Sequence, residues 1–196
     1  CTIKSRYKIS RNLVQFIHLI KGAYPKQLCT FAIDFFEINS HLTKIPYAGQ
    51  DKVDSLSIKL DIDFKKPNSN NLNLENTIER GLFEYKQKFP LINSNIGRWK
   101  TSNYCLLTRY EPNNFYKKIH CDSGEGCRNR ILVWMIFLND IKTGGGTYFN
   151  HQDYTAEPIA GDMHIWPASW THMHVGVNAP YERKYIITGW IEHEKY

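Results

Sequence analysis

Short β-like segments separated by turn residues fill the second half of the chain, and they restrict its fold more than any other feature. These segments cover residues 104–110, 131–138, 147–149, 162–166, 172–177 and 184–191. Glycine, proline and asparagine stand between them, as in the Thr-Gly-Gly-Gly run at 143–146. Several short strands at close spacing predict a sandwich or barrel rather than a parallel α/β sheet.

The first half of the chain is predicted to be mainly helical. After Pro25, apolar residues recur at three- and four-residue spacing from Leu28 to Phe36, and a second amphipathic stretch covers 76–89. Between them lies a polar run at 39–75, for which we expect a long loop with a short strand or two near 56–64. Such a loop is either a lid over a site or an exposed insertion.

Helices followed by strands predict an α+β fold, in which N-terminal helices buttress a double-sheet β core. A chain of 196 residues is long enough for one such domain. We therefore expect a single domain over 1–196, with helical support and a lid-like loop in 1–100 and the β core in 101–196. Aromatic residues make up 14% of the chain, which argues against disorder.

The net charge restricts the binding partners that we expect, and the cysteines restrict the cellular compartment. The net charge of +6 is spread along the chain rather than clustered, which indicates a cationic surface more than a nucleic-acid site. No apolar run reaches the length of a membrane span. The five cysteines lack CxxC spacing, so we expect mostly free thiols in a reducing compartment, the cytoplasm. A Cys121–Cys127 disulfide is the alternative. The sequence gives no indication of oligomeric state.

The segment His120-Cys121-Asp122 is the first candidate for chemistry. Residues two apart on an extended strand point to the same side, so His120 and Asp122 can face one point. One more histidine would complete the 2-His-1-carboxylate set that binds Fe(II) and leaves positions open for co-substrate and O₂. An isolated HxD, however, occurs often by chance and is more often structural.

A second pair of histidines lies about fifty residues further on. His172 and His174 are again two apart in a strand-like context, and geometry alone does not choose between them. The next strand is entered through the turn at 178–182, and a hairpin there would bring Arg183 and Lys184 beside the histidines. A buried ammonium is costly without an anion, so a dicarboxylate would explain Lys184.

These motifs stand in an order that resembles the catalytic core of the Fe(II)/2-oxoglutarate dioxygenases, in particular the prolyl 4-hydroxylase-like branch. The resemblance covers somewhat under half of the chain, from Tyr104 to Trp190. The matching pieces are Arg109-Tyr110, His120-Cys121-Asp122, Phe137-Leu138-Asn139-Asp140, Gly144-Gly145-Gly146-Thr147-Tyr148-Phe149, Pro158-Ile159-Ala160-Gly161-Asp162, Trp166-Pro167, His174-Val175-Gly176, Lys184-Tyr185 and Gly189-Trp190.

The resemblance implies a double-stranded β-helix (jelly-roll) core and assigns roles to named residues. It makes His120 and Asp122 the proximal metal ligands and His174 the distal histidine. Lys184 takes the position of the basic residue that binds the far carboxylate of 2-oxoglutarate, and Tyr110 that of a tyrosine lining the co-substrate pocket. The implied cofactor is Fe(II), with 2-oxoglutarate and O₂ as co-substrates and ascorbate as a further candidate.

One further position follows the resemblance, and two depart from it. Trp190 corresponds to an aromatic residue expected to pack rather than react. Ile136 takes the place of a tyrosine whose hydroxyl often reaches the co-substrate in relatives. Lys117 stands where a tyrosine usually precedes the first metal histidine by three residues, with Tyr116 one position earlier. Substrate contacts near Tyr116 are therefore open.

The function implied by the resemblance is hydroxylation of a C–H bond, with succinate and CO₂ as co-products. Lysine rather than arginine at 184 favours peptidyl proline as the target and a proline-containing protein or peptide as the partner. A nucleic-acid demethylase is one alternative. It is disfavoured because Gly189 and Trp190 stand where such enzymes carry a second arginine. A non-catalytic jelly-roll binding module is the other.

Overall fold

The computed structural model describes residues 15–43, 55–65, 72–95 and 97–194. In chain order the elements are β1 (His18–Ile20), α1 (Lys26–Ile38), a 3₁₀ helix (Ser40–Leu42), β2 (Leu56–Asp61), α2 (Leu74–Lys88), α3 (Ile92–Asn95), β3 (Trp99–Tyr110), β4 (Arg130–Phe137), β5 (Thr147–Phe149), β6 (Tyr154–Ala156), β7 (Met163–Pro167), a second 3₁₀ helix (Trp170–His172), β8 (His174–Gly176) and β9 (Lys184–His193).

The strands form two antiparallel sheets. The major sheet has the order β1-β7-β4-β9-β3-β2, and the minor sheet has the order β6-β5-β8. Buried side chains of both sheets, such as Phe149 from β5 and Val133 from β4, meet in one apolar cluster between them. The predicted α+β fold with a double-sheet core is confirmed.

Side chains of the major sheet alternate between two faces, as the two-residue period of a strand requires. On β9, Tyr185, Ile187 and Ile191 belong to the cluster that includes the helices, which defines the outer face. Lys184 and Ile186 border a cavity between the sheets, which defines the inner face. The two faces thus serve different purposes.

Helices α1 and α2 cover the outer face. Cys29, Ala32 and Phe36 of α1 are buried at three- and four-residue spacing, and Ile78 of α2 joins the same cluster. Gly81 allows α2 to lie close to β7, because a Cβ at this position would come within 2.8 Å of the sulfur of Met163. The helices therefore support the sheet from outside.

The first hundred residues also supply both edges of the major sheet. β2 lies within the predicted strand region 56–64 and pairs with β3 over its whole length. β1 was not predicted, because three residues are too few to show a periodic pattern, and it pairs with β7. The predicted lid-like loop lies partly outside the described residues, at 44–54 and 66–71.

Two further expectations concern membranes and thiols. Among the described residues, no helix combines the length and apolar character that a membrane span requires. Cys29, Cys105, Cys121 and Cys127 are free thiols, so the alternative disulfide between Cys121 and Cys127 is not formed.

Candidate metal centre

His120 and His174 are held side by side by their own backbones. The His120 N–H donates to the His174 carbonyl at 3.0 Å, and the His174 N–H donates to the His120 carbonyl at 2.9 Å. We expected His120 and Asp122 on one extended strand, but His120 forms an isolated bridge to His174. Asp122 is fixed by its N–H, which donates to the Ala168 carbonyl at 3.1 Å.

This backbone arrangement brings the three predicted ligands together. One possible donor atom from each of His120, Asp122 and His174 lies within 4.8 Å of the others. His174 Nε2 is 3.4 Å from Asp122 Oδ2, and the two imidazole rings are 4.4 Å apart. The three groups could therefore bind a single ion.

Backbone carbonyls orient both rings. His120 Nδ1 lies 3.0 Å from the Lys118 carbonyl, and His174 Nδ1 lies 2.9 Å from the His172 carbonyl. A carbonyl can only accept, so each Nδ1 carries the proton and each Nε2 keeps a free lone pair. Burial, and then the nearby His174, lowers the pKa of His120 to about 4. A neutral imidazole is the form that binds a metal.

The two oxygens of Asp122 have different surroundings. Oδ1 accepts a hydrogen bond from Trp190 Nε1 at 2.8 Å. Oδ2 is buried without a hydrogen-bond partner, which is costly for a carboxylate oxygen unless a cation or donor lies beside it. Two imidazole nitrogens and one such oxygen fit Fe(II) in the 2-His-1-carboxylate arrangement.

His172 does not belong to this group. The prediction that it shares a strand face with His174 is wrong, because it ends the 3₁₀ helix Trp170–His172 just before β8. Its Nε2 lies 2.8 Å from the Gln15 carbonyl and its Nδ1 lies 3.0 Å from Thr171 Oγ1. Since both ring nitrogens are engaged elsewhere, the alternative of His172 as a ligand has no geometric support.

Lys184 reaches the same cavity from the opposite sheet. The expected hairpin between the histidine strand and the next strand is wrong, because β8 lies in the minor sheet and β9 in the major sheet. The intervening connection crosses between the sheets, so Lys184 faces the histidines across the cavity. Arg183 points away and pairs with Glu111 at 2.8 Å.

The Lys184 ammonium is deeply buried, with 4% of the residue exposed. Its Nζ lies 4.7 Å from the centre of the Tyr110 ring, and Tyr110 is its cross-strand partner on β3. No carboxylate of the described residues forms an ion pair with it, and burial lowers the pKa of Lys184 to about 8. The site thus holds a desolvated cation suited to an anionic ligand.

The cavity that joins Lys184 to the three ligand candidates has a volume of about 140 Å³. A cavity of this size is sufficient for a small organic ligand. Apolar side chains such as Val133 and Ile186 line it together with hydroxyl groups, including the mutually hydrogen-bonded pair Ser57 and Thr108 at 2.9 Å.

One position near the site differs from expectation, and another had no assigned role. Ile136 was expected in the place of a co-substrate tyrosine, but it packs in the outer cluster, and its neighbour Met135 faces the cavity instead. The strand alternation determines this, because residue 136 shares its face with Trp134 rather than with Val133. Tyr116, whose role was open, stacks on His120 with ring centres 4.0 Å apart.

Trp190 is the functional candidate that the sequence did not reveal. It was expected to pack, and it does, but its indole N–H also binds Asp122. The only signal available was its even spacing from Lys184 on one strand, which places both residues on the inner face. That spacing gives the direction of the side chain and not its partner.

Part of the chain matches a known family and a named relative. Residues 105–192 match the family model described as the 2OG-Fe(II) oxygenase superfamily. A protein named "Putative prolyl 4-hydroxylase" from Acanthamoeba polyphaga mimivirus is 28% identical over 111 residues. That match covers 46% of this chain and 45% of the relative, so the chain spans less than half of the relative's length.

Solved structures of prolyl hydroxylases share the fold at low identity. The viral collagen prolyl hydroxylase of Paramecium Bursaria Chlorella virus-1, in complex with 2OG, has a TM-score of 0.66 and 18% identity, covering 92% of this chain and 97% of that one. A prolyl-4-hydroxylase of Pseudomonas putida has a TM-score of 0.62 and 16% identity, covering 91% of this chain and 93% of that one. A Trichoplax adhaerens prolyl hydroxylase, in complex with a hypoxia inducible factor peptide fragment, has a TM-score of 0.68 and 12% identity, covering 90% of this chain and 83% of that one.

The fold and the family match point to the same class of protein. Over residues 105–192 the chain is similar to the 2OG-Fe(II) oxygenase superfamily, and its fold is that of the jelly-roll cores of solved prolyl hydroxylases, as the sequence resemblance implied. The relative and the three solved structures described above all carry prolyl hydroxylase names.

Proposed function

We propose that this protein is an Fe(II)- and 2-oxoglutarate-dependent dioxygenase that hydroxylates peptidyl proline. The observation that carries the proposal is the pairing, in one cavity, of the His120–Asp122–His174 cluster with the buried cation Lys184. In the overall reaction, 2-oxoglutarate, O₂ and a C–H bond give succinate, CO₂ and a C–OH group. One oxygen atom enters succinate and the other enters the product.

Each residue of the site has a separate task in this proposal. His120 Nε2, His174 Nε2 and Asp122 Oδ2 would hold Fe(II), which when bound supplies the oxidative chemistry with 2-oxoglutarate and O₂. Lys184 would pair with the far carboxylate of 2-oxoglutarate, and this pairing would compensate the desolvation of both charges. Tyr110 would pack beside that ion pair and help to exclude water.

A proline-containing peptide is the substrate that the relatives favour. The relative is named "Putative prolyl 4-hydroxylase", and one structural neighbour was solved with a peptide fragment of hypoxia inducible factor. Tyr116 stacks on His120 at the cavity, where an aromatic ring could pack against a proline ring. We further propose a reducing, cytoplasmic location, in keeping with the free thiols, and ascorbate as the reductant that maintains iron as Fe(II).

The first experiment separates an enzyme from a binding module that kept the fold. Release of labelled CO₂ from 1-labelled 2-oxoglutarate is measured with Fe(II) and ascorbate, for the wild type, Asp122→Ala and His174→Ala. We expect turnover in the wild type and in the control variant His172→Ala, and none in Asp122→Ala or His174→Ala. Full turnover in either ligand variant would contradict the ligand assignment, and an inactive but metal-binding wild type would favour the module.

The second experiment tests the substrate. Proline-rich peptides and methylated oligonucleotides are incubated separately with the enzyme, and products are analysed by mass spectrometry. We expect a gain of one oxygen on proline in the peptides, equal in amount to the succinate formed. Loss of methyl groups from the oligonucleotides, with unmodified peptides, would replace the prolyl hydroxylase proposal with a nucleic-acid demethylase.

A further inference from the structure

Trp190 makes a contact that distinguishes it from other buried tryptophans of the major sheet. Its indole N–H donates to Asp122 Oδ1 at 2.8 Å, and the residue is 6% exposed. Trp134 and Trp166 are also buried, yet neither indole nitrogen has a hydrogen-bond partner. Burial alone therefore does not explain where the Trp190 ring is directed.

Arg130 holds the Trp190 ring from the other side. Its guanidinium lies 3.7 Å from the centre of the ring, within the range of a cation–π contact. The same group donates to the Tyr104 hydroxyl at 3.0 Å and, more weakly, to the Asp122 carbonyl at 3.4 Å. The Tyr104 ring packs on Trp190 with centres 5.5 Å apart. The indole thus has little freedom to turn away from Asp122.

The hydrogen bond makes the two carboxylate oxygens unequal. Oδ1 is occupied by the indole N–H, whereas Oδ2 has no hydrogen-bond partner and lies 3.4 Å from His174 Nε2. We propose that Trp190 is a positioning residue of the metal centre, which occupies Oδ1 of Asp122 and leaves Oδ2 as the single metal-binding oxygen. Arg130 fixes the ring in that role.

This inference rests on the proposed function, because it assumes that Asp122 is a metal ligand. Outer-shell hydrogen bonds to ligating carboxylates fix their orientation, and their loss typically lowers metal affinity by about 10- to 100-fold. An indole is a neutral donor that cannot act as a ligand itself. It therefore orients the carboxylate without competing for the metal.

The test measures metal binding and needs no turnover. Mn²⁺ is titrated into the metal-free protein, and the free ion is followed by electron paramagnetic resonance, for the wild type, Trp190→Phe and Trp134→Phe. Phenylalanine at 190 keeps an aromatic ring for Arg130 but lacks the N–H donor. Trp134→Phe is the matched control, since it removes the same atoms from a buried tryptophan of the same sheet whose nitrogen has no partner.

We expect Trp190→Phe to bind Mn²⁺ about 10- to 100-fold more weakly than the wild type. Trp134→Phe should remain within about twofold, because Trp134 packs in the outer cluster and its indole N–H donates no hydrogen bond to a ligand candidate. Equal weakening in both variants would overturn the inference, because the loss would then follow from packing. Unchanged affinity in Trp190→Phe would overturn it as well.

A second variant addresses the possibility that Trp190→Phe disturbs the fold. Incorporation of 3-benzothienylalanine at 190 replaces the indole N–H by sulfur and keeps the shape of the ring. We expect this folded variant to show the same weakening, and wild-type affinity in it would overturn the inference. In ¹⁵N spectra of the wild type, the Trp190 indole signal should shift on addition of Zn²⁺, whereas the Trp134 signal should not.

Asp122→Ala separates this inference from the proposed function. If the wild type binds Mn²⁺ and Asp122→Ala does not, the metal site stands, and the Trp190 variants decide the positioning role alone. If the wild type and Asp122→Ala bind equally, the proposed site itself is wrong.

Discussion

The two faces of the major sheet differ in what they contain, although the same strands build both. The outer face is apolar and packed by helices, and Ile136 and Ile187 are fully buried there. The inner face carries Lys184 without an ion-pair partner among the described residues, and His164 with an unpaired Nδ1. The outer face therefore stabilises the fold, whereas the inner face is arranged for a ligand at a cost in stability.

The sharpest test of this difference is Lys184→Met. Removing one partner of a buried charge pair costs several kcal/mol, so 2-oxoglutarate should bind about a thousandfold more weakly. The metal-free variant should nevertheless be more stable than the wild type. The lowered pKa of about 8 means that the buried charge reduces the free energy of unfolding of the wild type by about 3 kcal/mol. This reduction is complete below about pH 8 and disappears as the pH rises to the ordinary lysine pKa of 10.5.

Calorimetry of 2-oxoglutarate binding and urea unfolding at neutral pH measure these two effects. Lys184→Arg is the control for charge, and it should retain part of the affinity. A Lys184→Met variant that loses stability would contradict the view that the inner face is costly.

The next largest effect is expected on the outer face. Ile187→Ala should lower the free energy of unfolding by about 3 kcal/mol, because it leaves a cavity in a fully packed cluster. Ile186 is the adjacent residue on the inner face and borders the open cavity. Ile186→Ala should cost less stability but weaken 2-oxoglutarate binding, whereas Ile187→Ala should leave binding to the folded protein unchanged. A larger loss of stability in Ile186→Ala than in Ile187→Ala, or weaker binding in Ile187→Ala than in Ile186→Ala, would contradict the comparison of the two faces.

These expectations separate what the sequence could predict from what it could not. The two-residue period on β9 was visible, and together with the ordered motifs it predicted the double-sheet core and Lys184 as a site residue. The period does not tell which sheet a strand joins. For this reason the expected hairpin to Lys184 was wrong, although the residue does reach the same cavity.

What the sequence missed has two physical causes, which are elements too short to show a pattern and contacts between residues distant in sequence. β1 and the 3₁₀ helix that removes His172 from the strand are three residues each, too short for a pattern. The bridge between His120 and His174 and the bond from Trp190 to Asp122 join residues more than fifty positions apart. The ligand roles of His120, Asp122 and His174 remain predictions, which the structure makes geometrically reasonable.

His164 should make a smaller contribution, which depends on pH, to the free energy of unfolding. It is buried on the inner face, and burial, followed by the nearby His18, lowers its pKa to about 4. The unfolded chain takes up a proton near pH 6.5 while the folded protein does not, so stability is lost as the pH falls from about 6.5 to about 4. The loss from this group should reach about 2 kcal/mol near pH 5.

The measurement compares urea unfolding of the wild type and His164→Asn between pH 7 and pH 5. The difference between the two proteins isolates His164 from the other histidines. A difference that does not change with pH would show that His164 is not held neutral in the fold.

The smallest effect concerns the pH dependence of co-substrate binding. As the pH rises through about 8, Lys184 loses its proton in the free protein and can no longer pair with a carboxylate. The affinity for 2-oxoglutarate should therefore fall about fivefold between pH 8 and 9, as expected for one titrating group. Lys184→Arg should show a flat profile, since its guanidinium remains charged. A wild-type profile as flat as that of the variant would contradict this prediction.

The central claim is that one ligand joins the two ends of the cavity, and its most direct test is the binding of 2-oxoglutarate with and without a metal. Calorimetric titrations of 2-oxoglutarate into metal-free and Mn²⁺-loaded protein measure the coupling free energy between Mn²⁺ and 2-oxoglutarate. The account predicts that Mn²⁺ raises the affinity for 2-oxoglutarate at least about tenfold in the wild type, and not in Asp122→Ala. Equal affinity with and without Mn²⁺ in the wild type would contradict it.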